Sequence, residues 1–265
     1  MTGSTQYVDI RGGKLAVVIY EPEVHQADAI LIHGYTGSKE DFSLIGPLLA
    51  QRGYRVLTSD NRGQHESSHS TDATDYSIRA LASDHKALAD HFGLKRPHIF
   101  GHSFGGLVAQ RAVVDYPETW SSLSLFCSGP HGMPEWGKLA EDIEYLNHHS
   151  MAELWVANGE SQKPGNEAGS LKQRRWFSTD KLSIQVHAHH LMTEPSVVSE
   201  VVATGLPVQV IRGEHDDAWP HELQAQMAAA YGVEVQLIPN AGHCPNEDQP
   251  LSTSEVIVEF WNNFH

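Results

Sequence analysis

The five residues from Gly101 to Gly105 constrain the fold of this chain more than any other segment. They read Gly-His-Ser-Phe-Gly, between a strand-like run over 97–100 and a helical pattern over 106–114. A strand that turns directly into a helix holds the middle residue, Ser103, in a strained backbone conformation, and the flanking glycines avoid collisions with the neighbouring strand and helix. The strain lifts the Ser103 hydroxyl clear of the sheet. The segment therefore predicts a strand, a sharp turn and a helix that present Ser103 as a nucleophile.

Three acidic residues after a later strand pattern are candidates for the catalytic acid. A serine attacks well only when a histidine takes its proton and a carboxylate orients that histidine. The run over 207–212 is rich in β-branched and apolar residues and leads into a loop with Glu214, Asp216 and Asp217. A loop after a parallel strand lies at the carboxyl edge of the sheet, where ligand sites form. We predict that Asp216 is the acid, with Asp217 second and Glu214 third.

His243 is the predicted base. The chain contains 18 histidines, so histidine content alone selects none of them. His243 follows the strand pattern over 233–238, lies downstream of Asp216, and precedes an amphipathic C-terminal helix. Serine, acid and histidine in this chain order are typical of a nucleophile on a strand-to-helix turn.

Two backbone N–H groups are predicted to stabilise the negative oxygen of a tetrahedral intermediate. One belongs to Phe104, the residue after the predicted nucleophile. The other belongs to Tyr35, in the loop after the strand pattern over 28–33. Gly34 lets the backbone of this loop approach a substrate closely.

These segments together resemble the α/β-hydrolase family, in its serine hydrolase branch of esterases and lactonases, over nearly the whole chain. The matching segments are His33-Gly34-Tyr35, Asp60-Asn61-Arg62-Gly63, the turn around Ser103, Gly213-Glu214-His215-Asp216 and Gly242-His243. In that family the acid usually follows a glycine by three positions and precedes a proline by four, a spacing that Gly213, Asp216 and Pro220 reproduce. His65 stands where the family commonly has a glycine, so we expect the loop after Asp60 to have its own shape and assign it no catalytic role.

Composition and charge exclude several classes of partner. With 18 Lys and Arg against 33 Asp and Glu, the formal net charge is -15. This charge argues against nucleic acid and disfavours anionic membranes and strongly anionic substrates. The sequence predicts neither a membrane span nor a signal peptide, so we expect a cytoplasmic enzyme with a small-molecule substrate. The two cysteines, Cys127 and Cys244, predict no disulfide framework, and the oligomeric state is left open.

Strand and helix patterns alternate along most of the chain. Strand patterns lie at about 6–10, 14–20, 28–33, 54–59, 97–102, 122–127, 207–212 and 233–238. The alternation predicts an α/β fold with a mostly parallel eight-stranded sheet and helices on both faces. A tight turn at Arg11-Gly12-Gly13 should join the first two strands into an antiparallel edge.

The interval from about 129 to 201 is too long for a simple crossover and too long for a structureless loop. Its helical patterns cover 135–149, 150–158 and 171–177. We therefore predict a helical cap over 129–201, inserted after the sixth strand into a core domain formed by 1–128 and 202–265.

Aromatic residues suggest candidates for a substrate pocket, and three histidines of the cap are considered as metal ligands. The candidates for the substrate pocket are His33, Gly34, Trp136, Trp155, Trp176 and Trp219. Ligand sites are lined mainly by apolar and aromatic side chains, but the cap aromatics also suit a small core of the cap itself, and both interpretations stay open. Helical spacing puts His187 and His190 on one face, with His189 beside them. No further ligand completes a zinc site, so no metal and no cofactor are predicted.

The sequence therefore predicts a serine hydrolase that cleaves a carboxylic ester or lactone through an acyl-enzyme on Ser103. A carbon–carbon bond hydrolase is one alternative, and its often anionic substrates would need a basic cap residue such as Arg174 or Arg175. A hydrolase-fold receptor that keeps the triad but turns over slowly or not at all is the other. Haloalkane dehalogenation and epoxide hydrolysis are disfavoured, because family members with those activities have Asp at the position of Ser103.

Overall fold

The computed structural model describes residues 4–264. The strands are β1 (Gln6–Ile10), β2 (Gly13–Tyr20), β3 (Ala27–Ile32), β4 (Tyr54–Ser59), β5 (His98–His102), β6 (Leu123–Phe126), β7 (Val208–Gly213) and β8 (Val235–Ile238). The α-helices are α1 (Ile45–Gln51), α2 (Ile78–His91), α3 (Phe104–Asp115), α4 (Gly137–His148), α5 (Met151–Ala157), α6 (Leu171–Ser178), α7 (Lys181–Thr193), α8 (Val198–Thr204), α9 (His221–Ala230), α10 (Pro245–Asp248) and α11 (Pro250–Trp261). Short 3₁₀ helices cover Lys39–Phe42, Ala73–Tyr76, Pro117–Thr119 and Glu160–Gln162. Among these helices, none is both long enough and apolar enough to cross a bilayer.

All eight strands form one sheet in the order β1-β2-β4-β3-β5-β6-β7-β8. β1 pairs antiparallel with β2, and β2 pairs antiparallel with β4, whereas every other pair is parallel. The predicted mostly parallel sheet with an antiparallel edge is therefore confirmed. Because parallel strands end at the same edge of a sheet, the loops after β3, β5, β7 and β8 meet there.

The central strands are buried on both faces, which explains their nearly continuous apolar sequence. In β3, Ile30 and Ile32 belong to the hydrophobic layer that contains residues of α2 and α3. Ala29 and Leu31 point to the opposite layer, which contains residues of α1 and α11. The two layers hold the sheet rigidly and so fix the positions of the loops at its carboxyl edge.

Helices α4 to α7 lie against the loops at the carboxyl edge. The Asp180 N–H, just before α7, donates to the Gly63 carbonyl over 2.8 Å, and the His187 ring lies 4.6 Å from the Phe104 ring. A small hydrophobic core of these helices consists of Leu146, Met151, Leu154 and Ile184. The helical patterns over 135–149, 150–158 and 171–177 correspond to α4, α5 and α6.

The predicted domain boundary between 201 and 202 falls inside α8. Val201 is fully buried in the same hydrophobic layer as residues of α3. We therefore propose that the cap ends before Val198 and that α8 belongs to the core domain.

Candidate active site

Ser103 occupies the turn between β5 and α3 with a positive φ of 54° and a ψ of -120°, a backbone conformation that residues with a side chain rarely adopt. Its N–H donates to the Phe126 carbonyl over 2.9 Å, and the Ser128 hydroxyl donates to the Ser103 carbonyl over 2.7 Å. A Cβ atom at Gly101 or Gly105 would collide with the backbone opposite it. Two hydrogen bonds from the segment around β6 and two glycines thus maintain the strained turn that the sequence predicts.

Ser103, His243 and Asp216 form a continuous hydrogen-bonded chain. The Ser103 Oγ lies 3.0 Å from the His243 Nε2, and the His243 Nδ1 lies 2.7 Å from the Asp216 Oδ1. Because a carboxylate can only accept, the Nδ1 carries the proton and the Nε2 is free to accept one from the serine hydroxyl. The structure thus brings the three predicted residues together in the geometry of a nucleophile, a base and an orienting acid.

Burial distinguishes Asp216 from the two other acids of its loop. Asp216 is 2% exposed, whereas Asp217 and Glu214 are exposed at the surface. Burial alone would raise the pKa of Asp216, but the hydrogen bond and charge of His243 outweigh it and hold that pKa below its usual value. Asp216 is therefore a carboxylate at neutral pH.

Three residues that the sequence analysis did not single out hold Asp216 and His243 in place. The Gln224 amide of α9 donates to the Asp216 Oδ2 over 3.1 Å, while the Ala218 N–H donates to the Oδ1 over 3.1 Å. The His102 Nε2 donates to the His243 carbonyl over 2.8 Å. Burial, together with the charge of His243, lowers the pKa of His102 to about 4, so this ring is neutral. Gln224 carries no sequence signal, and His102 fills a variable position of the serine motif.

The N–H groups of Tyr35 and Phe104 are free to bind an oxyanion. Phe104 is the first residue of α3, and a helix cannot satisfy its own first N–H groups. Tyr35 lies in the turn after β3, and its N–H donates to no atom of residues 4–264. A Cβ atom at Gly34 would come 3.0 Å from the Ser103 Cβ, so this loop runs directly beside the serine.

His33 supports the loop after β3 and does not line open space. Its fully buried ring donates from Nδ1 to the Gly34 carbonyl over 2.9 Å and accepts at Nε2 from the Asn61 N–H over 3.0 Å. The Asn61 side chain in turn bonds to the His85 Nε2 over 3.0 Å. Burial lowers the pKa of His33 to about 4, so the ring stays neutral. Of the two predicted pocket residues in this loop, Gly34 adjoins Ser103 and His33 has both nitrogens occupied.

A buried lysine joins the same loop to the segment after β4. The fully buried Lys39 Nζ lies 3.0 Å from Asp60, 2.6 Å from Glu66 and 2.8 Å from Glu40. Burial would lower the pKa of Lys39, but the three carboxylates raise it, so the ammonium stays charged. His65, the residue in the glycine position, has a left-handed φ of 44°. The loop after Asp60 thus keeps a positive φ at the position where the family has a glycine. Through Lys39, this loop is bonded to the segment that follows the proposed oxyanion loop.

Asp41 connects the loop after β3 to two other segments. Its carboxylate accepts from the Ser38 N–H over 3.3 Å and forms a short ion pair with Arg175 of α6. Its carbonyl accepts from the Asn246 side chain over 2.6 Å. Asn246 belongs to α10 and follows His243 by three positions, so one aspartate contacts both the cap and the helix after the predicted base.

The four predicted pocket tryptophans form two separate pairs. The ring centroids of Trp136 and Trp219 are 4.9 Å apart, and both belong to the core layer around α3. The centroids of Trp155 and Trp176 are 5.4 Å apart. Both of these rings line a cavity next to Thr36, and Trp176 also packs on the hydrophobic core of the cap. Both interpretations of the cap aromatics therefore have a structural counterpart.

The three cap histidines do not converge on a metal site among the described residues. His187 is buried against Phe104, His189 is exposed, and His190 pairs with Glu194 over 2.6 Å. Elsewhere, two groups have donor atoms within 4.8 Å of one another: His102 with Cys127 and His243, and Glu40 with His65 and Glu66. The first group includes the predicted base. In the second, Glu40 and Glu66 already pair with the Lys39 ammonium, whose charge repels a cation.

Comparisons with known proteins concern the fold and the family. A model described as alpha/beta hydrolase family matches residues 29–255. The sn-1-specific diacylglycerol lipase ABHD11 of Mus musculus is 25% identical over 274 residues, which cover 95% of this chain and 86% of the lipase. The enol-lactonase of Burkholderia xenovorans LB400 superposes with a TM-score of 0.83 at 20% identity, over 97% of this chain and 100% of that one. A mutant of the N-acyl homoserine lactonase AidH, in complex with N-hexanoyl homoserine lactone, gives a TM-score of 0.81 at 19% identity, over 98% of both chains.

Proposed function

Because the chain belongs to the alpha/beta hydrolase family, we propose that it is a serine hydrolase that cleaves a carboxylic ester or lactone through an acyl-enzyme on Ser103. One observation carries the proposal. The Ser103 hydroxyl, the His243 ring and the Asp216 carboxylate are joined by hydrogen bonds of 3.0 Å and 2.7 Å. The resemblance to a lipase and two lactonases supports a carbonyl substrate.

Acylation begins with attack of the Ser103 Oγ on the carbonyl carbon. The serine proton passes to the His243 Nε2, and Asp216 stabilises the imidazolium that forms. The carbonyl oxygen becomes an oxyanion and accepts from the N–H groups of Tyr35 and Phe104. When the tetrahedral intermediate collapses, the imidazolium gives its proton to the leaving oxygen. The product is an ester of Ser103 and a free alcohol, or a tethered alcohol when the substrate is a lactone.

Deacylation repeats the same proton transfers with water as the nucleophile. His243 takes a proton from the water, the hydroxide attacks the acyl carbon, and the same two N–H groups bind the second oxyanion. The imidazolium then returns its proton to the Ser103 Oγ, which leaves the free acid and the resting enzyme.

The proposal is tested with a fluorophosphonate probe and a panel of p-nitrophenyl esters and lactones of increasing acyl length. Ser103→Ala should lose labelling and turnover, while Ser161→Ala, at an exposed serine of the cap, should retain both. Labelling of Ser103 without ester or lactone turnover would favour carbon–carbon bond cleavage or the receptor role. Turnover by Ser103→Ala equal to that of the parent protein would refute the proposal.

A further inference from the structure

Tyr35 lies in a four-residue turn that follows β3. The Gly37 N–H donates to the Gly34 carbonyl over 3.0 Å and closes this turn, with Tyr35 and Thr36 at its two central positions. Thr36 has a positive φ of 58°. A positive φ at the third residue of a turn favours glycine, and a β-branched residue is strained there. Contacts from outside the turn must therefore hold its shape.

Two donors fix the peptide group between Gly34 and Tyr35. The Gly34 carbonyl accepts from the Gly37 N–H over 3.0 Å and from the His33 Nδ1 over 2.9 Å. Because the C=O and the N–H of a trans peptide point in opposite directions, these bonds direct the Tyr35 N–H away from His33 and Gly37. The orientation of the proposed oxyanion donor thus depends on the shape of this one turn.

The Tyr35 side chain contacts two hydrophobic clusters that share no other residue within 4–264. It packs against the core layer that contains residues of α2 and α3. It also packs against the small core of the cap, which consists of Leu146, Met151, Leu154 and Ile184. The ring therefore joins the sheet to the cap at the very residue whose N–H is the proposed oxyanion donor.

Packing holds this side chain, because the Tyr35 hydroxyl forms no hydrogen bond with any residue from 4 to 264. Loss of the ring therefore removes the contacts with both clusters, whereas loss of the hydroxyl alone removes no hydrogen bond. Tyr145 of α4 offers a comparison, since its ring packs against the same core of the cap but lies outside the turn. Tyr35→Phe and Tyr145→Ala thus separate the ring in the turn from its hydroxyl and from packing within the cap.

We propose that the Tyr35 ring is a positioning group that couples the cap to the oxyanion donor. While the core of the cap packs on the ring, the strained turn is held and the Tyr35 N–H stays aligned with the carbonyl oxygen of the substrate. When the cap moves off the ring, the turn loses a support and the donor is misaligned. This inference rests on the proposed function and gives the Tyr35 side chain a role in addition to that of its N–H. Closure of the cap and completion of the oxyanion site are then one step.

The first test is steady-state hydrolysis of a p-nitrophenyl ester, with thermal unfolding measured in parallel. The oxyanion is absent from the bound substrate, so a misaligned donor lowers kcat and leaves KM nearly unchanged. Loss of one oxyanion donor costs about 100–1000-fold in kcat, and Tyr35→Ala should lose about tenfold or more. Tyr35→Phe and Tyr145→Ala should keep kcat within about threefold, because both leave a ring at position 35. If Tyr35→Ala is unfolded, Tyr35→Leu takes its place with the same expectation.

The second test is hydrogen exchange of the Gly37 N–H, measured by NMR, which needs no turnover. This N–H exchanges when its bond to the Gly34 carbonyl opens, so Tyr35→Ala should raise its rate about tenfold or more, while Tyr35→Phe and Tyr145→Ala should not. An unchanged exchange rate in Tyr35→Ala, an equal decrease in kcat for Tyr35→Ala and Tyr145→Ala, or a raised KM with an unchanged kcat would overturn the inference. If the parent protein had no turnover, the proposed function would fail, and the exchange rates would still decide whether the ring holds the turn.

Discussion

Replacement of Asp216 by asparagine removes one negative charge from the site and little else. Asp216 accepts from His243, Ala218 and Gln224. In the asparagine variant the remaining oxygen can keep the bonds to His243 and Ala218, while the new amide nitrogen faces Gln224. The Gln224 Oε1 has no partner among the described residues, so this side chain can turn and accept from the new amide. We therefore expect a folded protein in which the His243 ring keeps its place.

The size of the effect follows from the distance between the two charges. With the Asp216 Oδ1 and the His243 Nδ1 2.7 Å apart, the charge centres lie about 4 Å apart, where unit charges attract by about 4 kcal/mol at an effective dielectric constant of about 20. The imidazolium exists only while the serine proton is on His243, so this energy stabilises the transition state and not the resting enzyme. A loss of about 4 kcal/mol corresponds to a decrease of about 1000-fold in kcat/KM.

The assay is steady-state hydrolysis of the best p-nitrophenyl ester, with thermal unfolding measured in parallel. Asp217→Asn, at the exposed neighbouring acid, is the matched control and should keep kcat/KM within about twofold, as expected for a surface substitution. If Asp216→Asn and Asp217→Asn reduced kcat/KM equally, or if Asp216→Asn retained more than a tenth of the activity with its fold intact, the electrostatic role of Asp216 would be refuted.

Two predictions concern stability. Burial lowers the pKa values of His187 and His85 to about 3, whereas an unfolded histidine has a pKa of ~6.5. As the pH falls, the unfolded chain therefore takes up these two protons before the folded protein does. The free energy of unfolding should then be unaffected above pH ~6.5 and fall by about 1.4 kcal/mol per pH unit for each histidine as the pH decreases towards about 3. His187→Leu should reduce that slope in urea unfolding series at decreasing pH, and an unchanged slope would contradict neutral burial. The Asp84 carboxylate accepts from the Arg62 Nη2 over 2.6 Å and from the Arg62 Nε over 3.0 Å. Asp84→Asn leaves this buried guanidinium without its carboxylate and should lower the free energy of unfolding by about 3–5 kcal/mol. Asp90→Asn, at an exposed ion pair, should cost at most about 1 kcal/mol in the same denaturation assay, and equal losses would contradict the argument.

The sheet, and the meeting of Ser103, Asp216 and His243 at one of its edges, could be predicted because their signals are local. A strand, a sharp turn and a helix around Ser103 occupy one short segment, and the loops with Asp216 and His243 follow their own strands. Parallel strands then bring the three loops to one edge without further information. The spacing from Gly213 selected Asp216 over its neighbours, and the structure gives the physical difference, which is burial.

The surroundings of the triad could not be predicted, because their partners are distant in sequence. The His33 ring is fixed by Asn61, which is 28 positions away. The Trp155–Trp176 pair depends on how α5 packs on α6, and the Trp136–Trp219 pair joins segments that are 83 positions apart, so no single-helix pattern contains either pair. The predicted cap boundary at 201 lies inside α8, because the sequence pattern around Val201 does not show whether this helix packs on the core or on the cap.

The position of Asp41 gives the cap and the base a common attachment point. Asp41 forms an ion pair with Arg175 of α6, and its carbonyl accepts from Asn246. A displacement of α6 that breaks this ion pair therefore leaves the Asp41 carboxylate without its cation. Because Asn246 belongs to α10, which begins two residues after His243, we expect movement of α6 to disturb the His243 imidazole through the Asp41 side chain and carbonyl. Substitutions at the rim of the cap can therefore alter the rate of the chemical step without any contact with the reacting atoms.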